Sequence, residues 1–272
     1  MPRIAIYHAE ETPSLAPADR SRPPQPGGNH AALAKLAQLL QLPLCASTQD
    51  WDYWLFFYEG RLSLQKQGEK SLPLCVDFSS EQITYRRKQT SLKKESLARA
   101  LGLKGNTATH IIDATAGLGR DSFILASLGF EITLLERSPI MAALLADGLQ
   151  RALQDPEVAP IAQRMRLIPL SGIEFLPEIN PKERPSHIYV DPMFPERSKS
   201  ALVKKEMRLL HDLIGQDPDA DALLEAALAC ATERVVVKRP RLAEPLGTMK
   251  PSFQMQGSSS RFDVYLTLGR TV

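Results

Sequence analysis

The run Asp113-Ala-Thr-Ala-Gly117-Leu-Gly119-Arg120-Asp121 sets two glycines between two carboxylates. Glycines let a backbone turn tightly and approach a ligand with no Cβ in the way. The flanking carboxylates make such a turn attractive to a cation and hostile to a pyrophosphate. Glu136, about 20 residues further on, ends the next apolar run, a position from which a carboxylate accepts hydrogen bonds from a ribose diol. Turn and acid together admit two nucleotide cofactors. A dinucleotide fingerprint asks for a third glycine, where this chain has Ser122, and for a helix N-terminus open to the pyrophosphate. The acids suit instead the ammonium and sulfonium of S-adenosylmethionine, with Asp113, Gly117, Gly119, Asp121 and Glu136 as its seat. A purely structural glycine turn is the competing reading.

A second motif, Asp191-Pro192-Met193-Phe194-Pro195, also closes an apolar run. It resembles the Asp/Asn-Pro-Pro-aromatic tetrapeptide of methyltransferases that act on exocyclic amines of nucleic-acid bases. Such an amine is a poor nucleophile because its lone pair is delocalised into the ring. The Asp191 carboxylate and the Pro192 carbonyl, aimed at its two hydrogens, let the nitrogen become tetrahedral. Proline fixes the direction of that carbonyl, and Phe194 can stack on the base. Asp191, Pro192 and Phe194 are therefore the expected catalytic set. A strand followed by a Pro-rich loop with a core phenylalanine is the alternative.

The elements that must position these residues are visible in the patterning. His110–Asp113, Glu131–Glu136, Met165–Leu170, Ile188–Asp191 and Arg234–Lys238 read as strands, alternating with helical stretches after the glycines, over Ile140–Leu153 behind Pro139, and behind Asp219 as N-cap. That alternation predicts a mostly parallel sheet covered on both faces, an α/β Rossmann-like architecture. Ser252–Gln256 and Phe262–Leu268, joined by Gly257-Ser-Ser-Ser, predict an antiparallel hairpin at its end. Upstream, Arg3–Tyr7 as a strand, Ala31–Leu40 as a helix capped by Asn29, a hairpin over Trp51–Gln65 and a strand at Leu74–Phe78 suggest a small α/β domain. The expected organisation is residues 1–82 as that domain, 83–106 as a basic connector and 107–272 as the cofactor-binding domain. Ser171-Gly172, after the third strand of the sheet, sits where such folds hold an adenine ring; Arg120 and Arg137 stand beside the acids as cofactor contacts or as their ion partners.

The formal charge of +2 on 272 residues favours no partner, but its distribution does. Residues 84–104 carry Arg86, Arg87, Lys88, Lys93, Lys94, Arg99 and Lys104 against Glu95 alone, and 196–208 carry Arg197, Lys199, Lys204, Lys205 and Arg208 against two glutamates. Clusters of this kind suit a polyanion such as nucleic acid, or form solvated helix faces. The three cysteines stand far apart and the five histidines are scattered, which argues against a disulfide framework and against a metal site. No apolar leader and no run of about 18 apolar residues is present, so a soluble, cytoplasmic protein is expected, without a membrane partner.

Longer matches sharpen the reading. The run from Asp113 to Asp121, Leu135-Glu-Arg-Ser-Pro139, Asp191-Pro-Met-Phe-Pro195, Lys199–Met207 and Arg234-Val-Val-Val-Lys-Arg-Pro240 together resemble the ribosomal RNA small subunit methyltransferase J family, over about Thr109–Pro240. The resemblance implies a class I fold that methylates the exocyclic amine (N2) of a guanine in 16S ribosomal RNA, in ribosome biogenesis, with the RNA or the 30S particle as partner. It implies cofactor contacts at Arg120, Asp121, Glu136, Arg137, Ser171, Gly172 and Asp191, although a second serine is common in that family where Gly172 stands. Under it, Lys204, Lys205, Arg208, Lys238 and Arg239 grip phosphates. The rivals are a methyltransferase of another base amine and a non-catalytic RNA-binding assembly factor.

Overall fold

The computed structural model describes residues 2–8, 30–47, 49–69, 72–105, 109–193, 209, 212–213, 215, 217–257 and 260–267. The chain divides into two compact units, Met1–Val76 with Ser198–Ile214, and Asp77–Arg197 with Gly215–Val272. The stretch expected as a connector holds two helices of the second unit, Glu81–Gln89 and Ser96–Leu101.

In the first unit, β1 (Ile4–Tyr7), β2 (Leu44–Cys45), β3 (Tyr53–Tyr58) and β4 (Arg61–Lys66) form a sheet in the order β2-β1-β3-β4, with helix α1 (His30–Leu40) between β1 and β2 in the chain. Only β3 and β4 pair antiparallel, as the hairpin turning at Glu59-Gly60 predicts. The run Leu74–Phe78 differs from the expected strand. Its alternate residues Leu74, Val76 and Phe78 are buried, yet it makes only a bridge from Leu74 to Leu64. The run spans the boundary of the two units: Leu74 bridges in the first, whereas Phe78 stacks on Phe123 in the second, with ring centroids 4.6 Å apart.

The second unit is built on a seven-stranded sheet. Its strands are β5 (His110–Asp113), β6 (Glu131–Leu135), β7 (Met165–Ile168), β8 (His187–Val190), β9 (Arg234–Pro240), β10 (Phe253–Gln256) and β11 (Ser260–Leu266), in the order β10-β11-β9-β8-β5-β6-β7. The strands β5 to β9 pair parallel, and β11 runs antiparallel to β9 and β10. The expected sheet, parallel with a terminal antiparallel hairpin, is the one observed. Burial of the central strands on both faces explains their near-continuous apolar runs. Helices α2 (Glu81–Gln89), α3 (Ser96–Leu101), α4 (Arg120–Ser127), α5 (Pro139–Gln154), α6 (Ala159–Ala162), α7 (Gly172–Phe175) and α8 (Ala220–Cys230) complete the unit. Leu223, Leu224 and Ala227 of α8 share a core with Ile112, Ile188, Val190, Val235 and Val237, each fully buried aliphatic side chain adding roughly 1.5–3 kcal/mol. That core makes the carboxyl ends of β5, β6, β8 and β9 a rigid rim. The chain order reverses between β5 and β8, the switch point where open α/β sheets bind ligands. Among the described residues no helix is long and apolar enough to cross a membrane.

Candidate active site

Asp113 closes β5 and is buried. Its Oδ1 accepts the Thr115 amide at 3.1 Å and its Oδ2 the Ser122 hydroxyl at 2.5 Å, so this carboxyl braces the turn from below. Burial, with Asp121 and Asp191 close by, pushes it up to about 7 against the pull of those two hydrogen bonds. Above it the chain turns through Gly117 and Gly119 at φ +53° and +70°, and Gly119 caps α4. The left-handed backbone favours glycine at Gly119, where an added Cβ would also stand 2.8 Å from the tip of the Leu145 side chain.

Glu136 follows β6 and is 8% exposed. Its Oε2 accepts the Gly117 amide at 2.8 Å and its Oε1 the Ser138 amide at 2.7 Å, which fix the carboxylate against the turn. Burial raises its pKa while the two amides oppose the rise. A carboxylate has about four lone-pair sites, so these bonds leave acceptor capacity for a diol.

On the other side of β5 the parallel register stacks the remaining groups. Val190 of β8 pairs with Val237 of β9, and one residue further along stand Asp191 and Lys238. The Lys238 ammonium donates to Asp191 Oδ2 at 2.9 Å and to Asp121 Oδ2 at 3.1 Å. The buried Tyr189 hydroxyl has one proton and donates it to Asp121 Oδ2 at 3.0 Å, with Asp191 Oδ2 beside it at 3.4 Å. Arg86 of α2 reaches Asp121 Oδ1 at 2.7 Å. Burial alone would raise the Asp121 carboxyl, but Lys238 and Arg86 together outweigh it and hold it far below the usual carboxylate range. Lys238 is pushed well above the ordinary lysine value, the carboxylates of Asp191 and Asp121 outweighing its burial. Side chains from two helices and from the ends of β8 and β9 thus form one charged network at the rim.

The backbone that follows β8 is held as well. The Asp191 amide donates to Thr115 Oγ1 at 2.6 Å and the Met193 amide to Asp217 Oδ2 at 2.7 Å. Arg137 binds Asp217 Oδ1 through one guanidinium nitrogen and both oxygens of Asp219, at 2.8 and 2.9 Å, through another. Asp219 precedes α8 as expected, but its side chain makes no cap hydrogen bond; it pairs with Arg137 instead.

A family model described as "Putative SAM-dependent methyltransferase" matches residues 35–267. A ribosomal RNA small subunit methyltransferase J from Thioalkalivibrio sulfidiphilus is 50% identical over 233 residues, 85% of this chain and 91% of that one. The protein of that name from Pseudomonas paraeruginosa is 50% identical over 84% of this chain and 87% of its own. This chain belongs to the ribosomal RNA small subunit methyltransferase J family. A crystal structure of a SAM-dependent methyltransferase from Neisseria gonorrhoeae, 37% identical, superposes with a TM-score of 0.70 over 88% of this chain and 93% of that one.

Membership makes the protein a methyltransferase with S-adenosylmethionine as cofactor, and the donor set at the rim fits that group. Asp121 stands in the first turn of α4, where a carboxylate repels a pyrophosphate. The Asp121–Asp191 pair is already matched by Lys238, with Arg86 on Asp121, while Glu136 keeps acceptor capacity for a ribose diol.

Of the expected seat residues of this family member, Asp113, Gly117, Gly119, Asp121, Glu136 and Asp191 lie around the ends of β5, β6 and β8. Arg120 opens α4. Ser171 caps α7, its Oγ accepting the Ile173 amide at 3.3 Å, and Gly172 is buried with Ala114 Cβ 3.3 Å from where its own Cβ would be. Arg137 spends its guanidinium on Asp217 and Asp219.

Lys238 and Arg239, expected to grip phosphates, both have partners within the protein. Neighbours in a strand face opposite sides of the sheet: Lys238 turns to the acids, while Arg239, 7% exposed, donates twice to the Glu244 carbonyl. Phe194, Lys204, Lys205 and Arg208 lie outside the described residues. Sequence reasoning passed over Thr115, Tyr189, Arg86 and Asp217. Tyr189 had a signal: two residues before Asp191 on one strand, it shares that residue's face. Arg86 and Asp217 had none, since only the fold brings them to the rim.

Proposed function

We propose that the protein transfers the methyl group of S-adenosylmethionine to the exocyclic amine (N2) of a guanine in small-subunit ribosomal RNA. The observation that carries this reading is the pairing at the end of β8: an Asp191 carboxylate held by Lys238 with Tyr189 beside it, followed by a buried Pro192 whose neighbouring amides are both engaged. Relatives about 50% identical over most of the chain are named for the small-subunit RNA. In the unit that carries the site, Lys88, Lys93, Lys94, Arg99 and Lys104 are exposed and suit an RNA backbone.

Glu136 holds the ribose of the cofactor, with Ser171 and the Gly172 backbone beside the adenine and the acidic rim toward the methionine end. When bound, the cofactor supplies an electrophilic methyl: the amine nitrogen bonds to the methyl carbon as the carbon–sulfur bond breaks, its electron pair staying on sulfur. The Asp191 carboxylate and Pro192 carbonyl accept the two amine hydrogens and draw the lone pair out of the ring. The surplus proton passes from the nitrogen to Asp191 and on to water. Lys238 sets a positive charge against the Asp191 and Asp121 carboxylates. Phe194 is assigned to stack on the base, and Lys204, Lys205 and Arg208 to hold phosphates. The guanine must leave its stack, at a cost of a few kcal/mol, and is most accessible in a loop or a partly assembled particle.

Labelled cofactor, purified enzyme and small-subunit particles from cells lacking the gene test the reading, followed by nuclease mapping of the label. One labelled guanine carrying the methyl on N2 is expected. Label on another base, or none, removes the proposal.

A further inference from the structure

The acceptor tripeptide Asp191-Pro192-Met193 has two amide donors, and both are taken by side chains from distant parts of the chain. Thr115, in the turn after β5, accepts from Asp191; Asp217, ahead of α8, accepts from Met193. Between them Pro192 has no N–H and a ring-locked φ. The Pro192 carbonyl and the Met193 N–H belong to one peptide group, and the peptide bonds among the described residues are all trans. In a planar trans peptide these two bonds point in opposite directions. Fixing the Met193 N–H on Asp217 therefore aims the Pro192 carbonyl directly away from Asp217. The Thr115 bond does the same for the peptide that delivers Asp191.

We infer that Thr115 and Asp217 are positioning residues that aim the Pro192 carbonyl and Asp191 at the amine, an assignment that rests on the acceptor role given to that pair. Asp217 is only 13% exposed at its side chain, and its other oxygen is taken by Arg137. Arg137 directly follows Glu136, so one strut runs from the ribose acceptor through Arg137 and Asp217 to Met193. Asp217 thereby ties Met193 to the residue that follows Glu136, and neither Arg137 nor Asp217 is assigned a contact with the reacting atoms.

Four variants test the assignment: Thr115→Val and Asp217→Ala, which remove the acceptors, and Thr115→Ser and Asp217→Asn, which keep an oxygen in place. Misplacement by about 1 Å costs on the order of 100-fold in rate. The removing pair should lose roughly 10- to 100-fold in kcat with the KM for RNA and the Kd for S-adenosylmethionine within about threefold; the conservative pair should recover most of the loss. In the free protein, hydrogen exchange at the Met193 amide should quicken in Asp217→Ala, and at the Asp191 amide in Thr115→Val. A kcat within threefold of wild type in the removing pair overturns the inference. So does a loss that appears only as a lower Tm and weaker cofactor binding, which is a structural role. If wild-type enzyme labels no base amine, the acceptor reading fails by itself. Exchange at the two amides then still judges the pins, and unchanged exchange overturns them.

Discussion

The Lys238 ammonium lies 2.9 Å from Asp191 Oδ2 and spans to Asp121, so the acidic rim carries its own cation. Carboxylates this close raise one another's pKa, and a shared ammonium prevents that. Lys238→Met should lower kcat about 10-fold or more, because a charged hydrogen bond is worth roughly 1.5–3 kcal/mol. The acid limb of the kcat–pH profile should move upward with it. RNA binding should keep its wild-type salt dependence, since removing a lysine that neutralises a phosphate would flatten the slope by about 0.7–0.9. A flatter slope with an unmoved acid limb would return Lys238 to the phosphate role first expected of it.

Glu136 and Asp191 should separate cleanly in kinetics. Glu136→Gln is expected to weaken S-adenosylmethionine about 10- to 100-fold in calorimetric titration, the worth of a charged hydrogen bond to the diol. Asp191→Ala should leave most of the cofactor affinity and cut turnover by orders of magnitude. Equal losses of binding and turnover in both variants would contradict the division of labour.

Asp113 gives the fold a pH dependence of defined sign. Its folded value, about 7, lies above the ordinary value near 3.9, so the folded state holds the proton more tightly. That contribution is complete below about pH 4 and is lost as pH rises toward 7. Asp113→Asn cannot ionise, yet retains an oxygen for the Thr115 amide and an NH2 for Ser122. The decline of Tm between about pH 5 and about pH 8 should therefore be shallower in this variant than in wild type. Parallel curves would show that the carboxyl is ionised throughout.

Gly119→Ala should destabilise the cofactor unit. A left-handed residue with a side chain costs roughly 1–2 kcal/mol, and the new Cβ would stand 2.8 Å from Leu145 Cδ1 and 3.3 Å from Phe78 Cζ. A Tm within a degree or so of wild type would mean that the turn relaxes instead.

The sheet was legible in the sequence because its strands are apolar runs bounded by turns, and the carboxyl-end acids marked which rim matters. Glu136 and Asp191 fall at strand ends that periodicity finds. What escaped was lateral: which strand lies beside which. That Lys238 stands level with Asp191 follows from the β8–β9 register, which no single strand announces. Arg86 read as one cation among seven in a basic stretch, and only α2 docked by Phe78 and α4 reveals that it serves Asp121. Asp219 read as a helix cap, the commonest task of an acid in that place, and was claimed instead by an arginine 82 residues away in the chain.

The two pins on the acceptor tripeptide have a consequence for how the protein comes into being. Thr115 leaves the ribosome before the motif, but Asp217 follows it, and β9 with Lys238 comes later still. A nascent chain that has just exposed Asp191 and Pro192 already holds the glycine turn and Glu136, yet neither Asp217 nor Lys238. The acceptor geometry is thus completed by residues synthesised after the motif itself, so the motif emerges before the two groups that hold it.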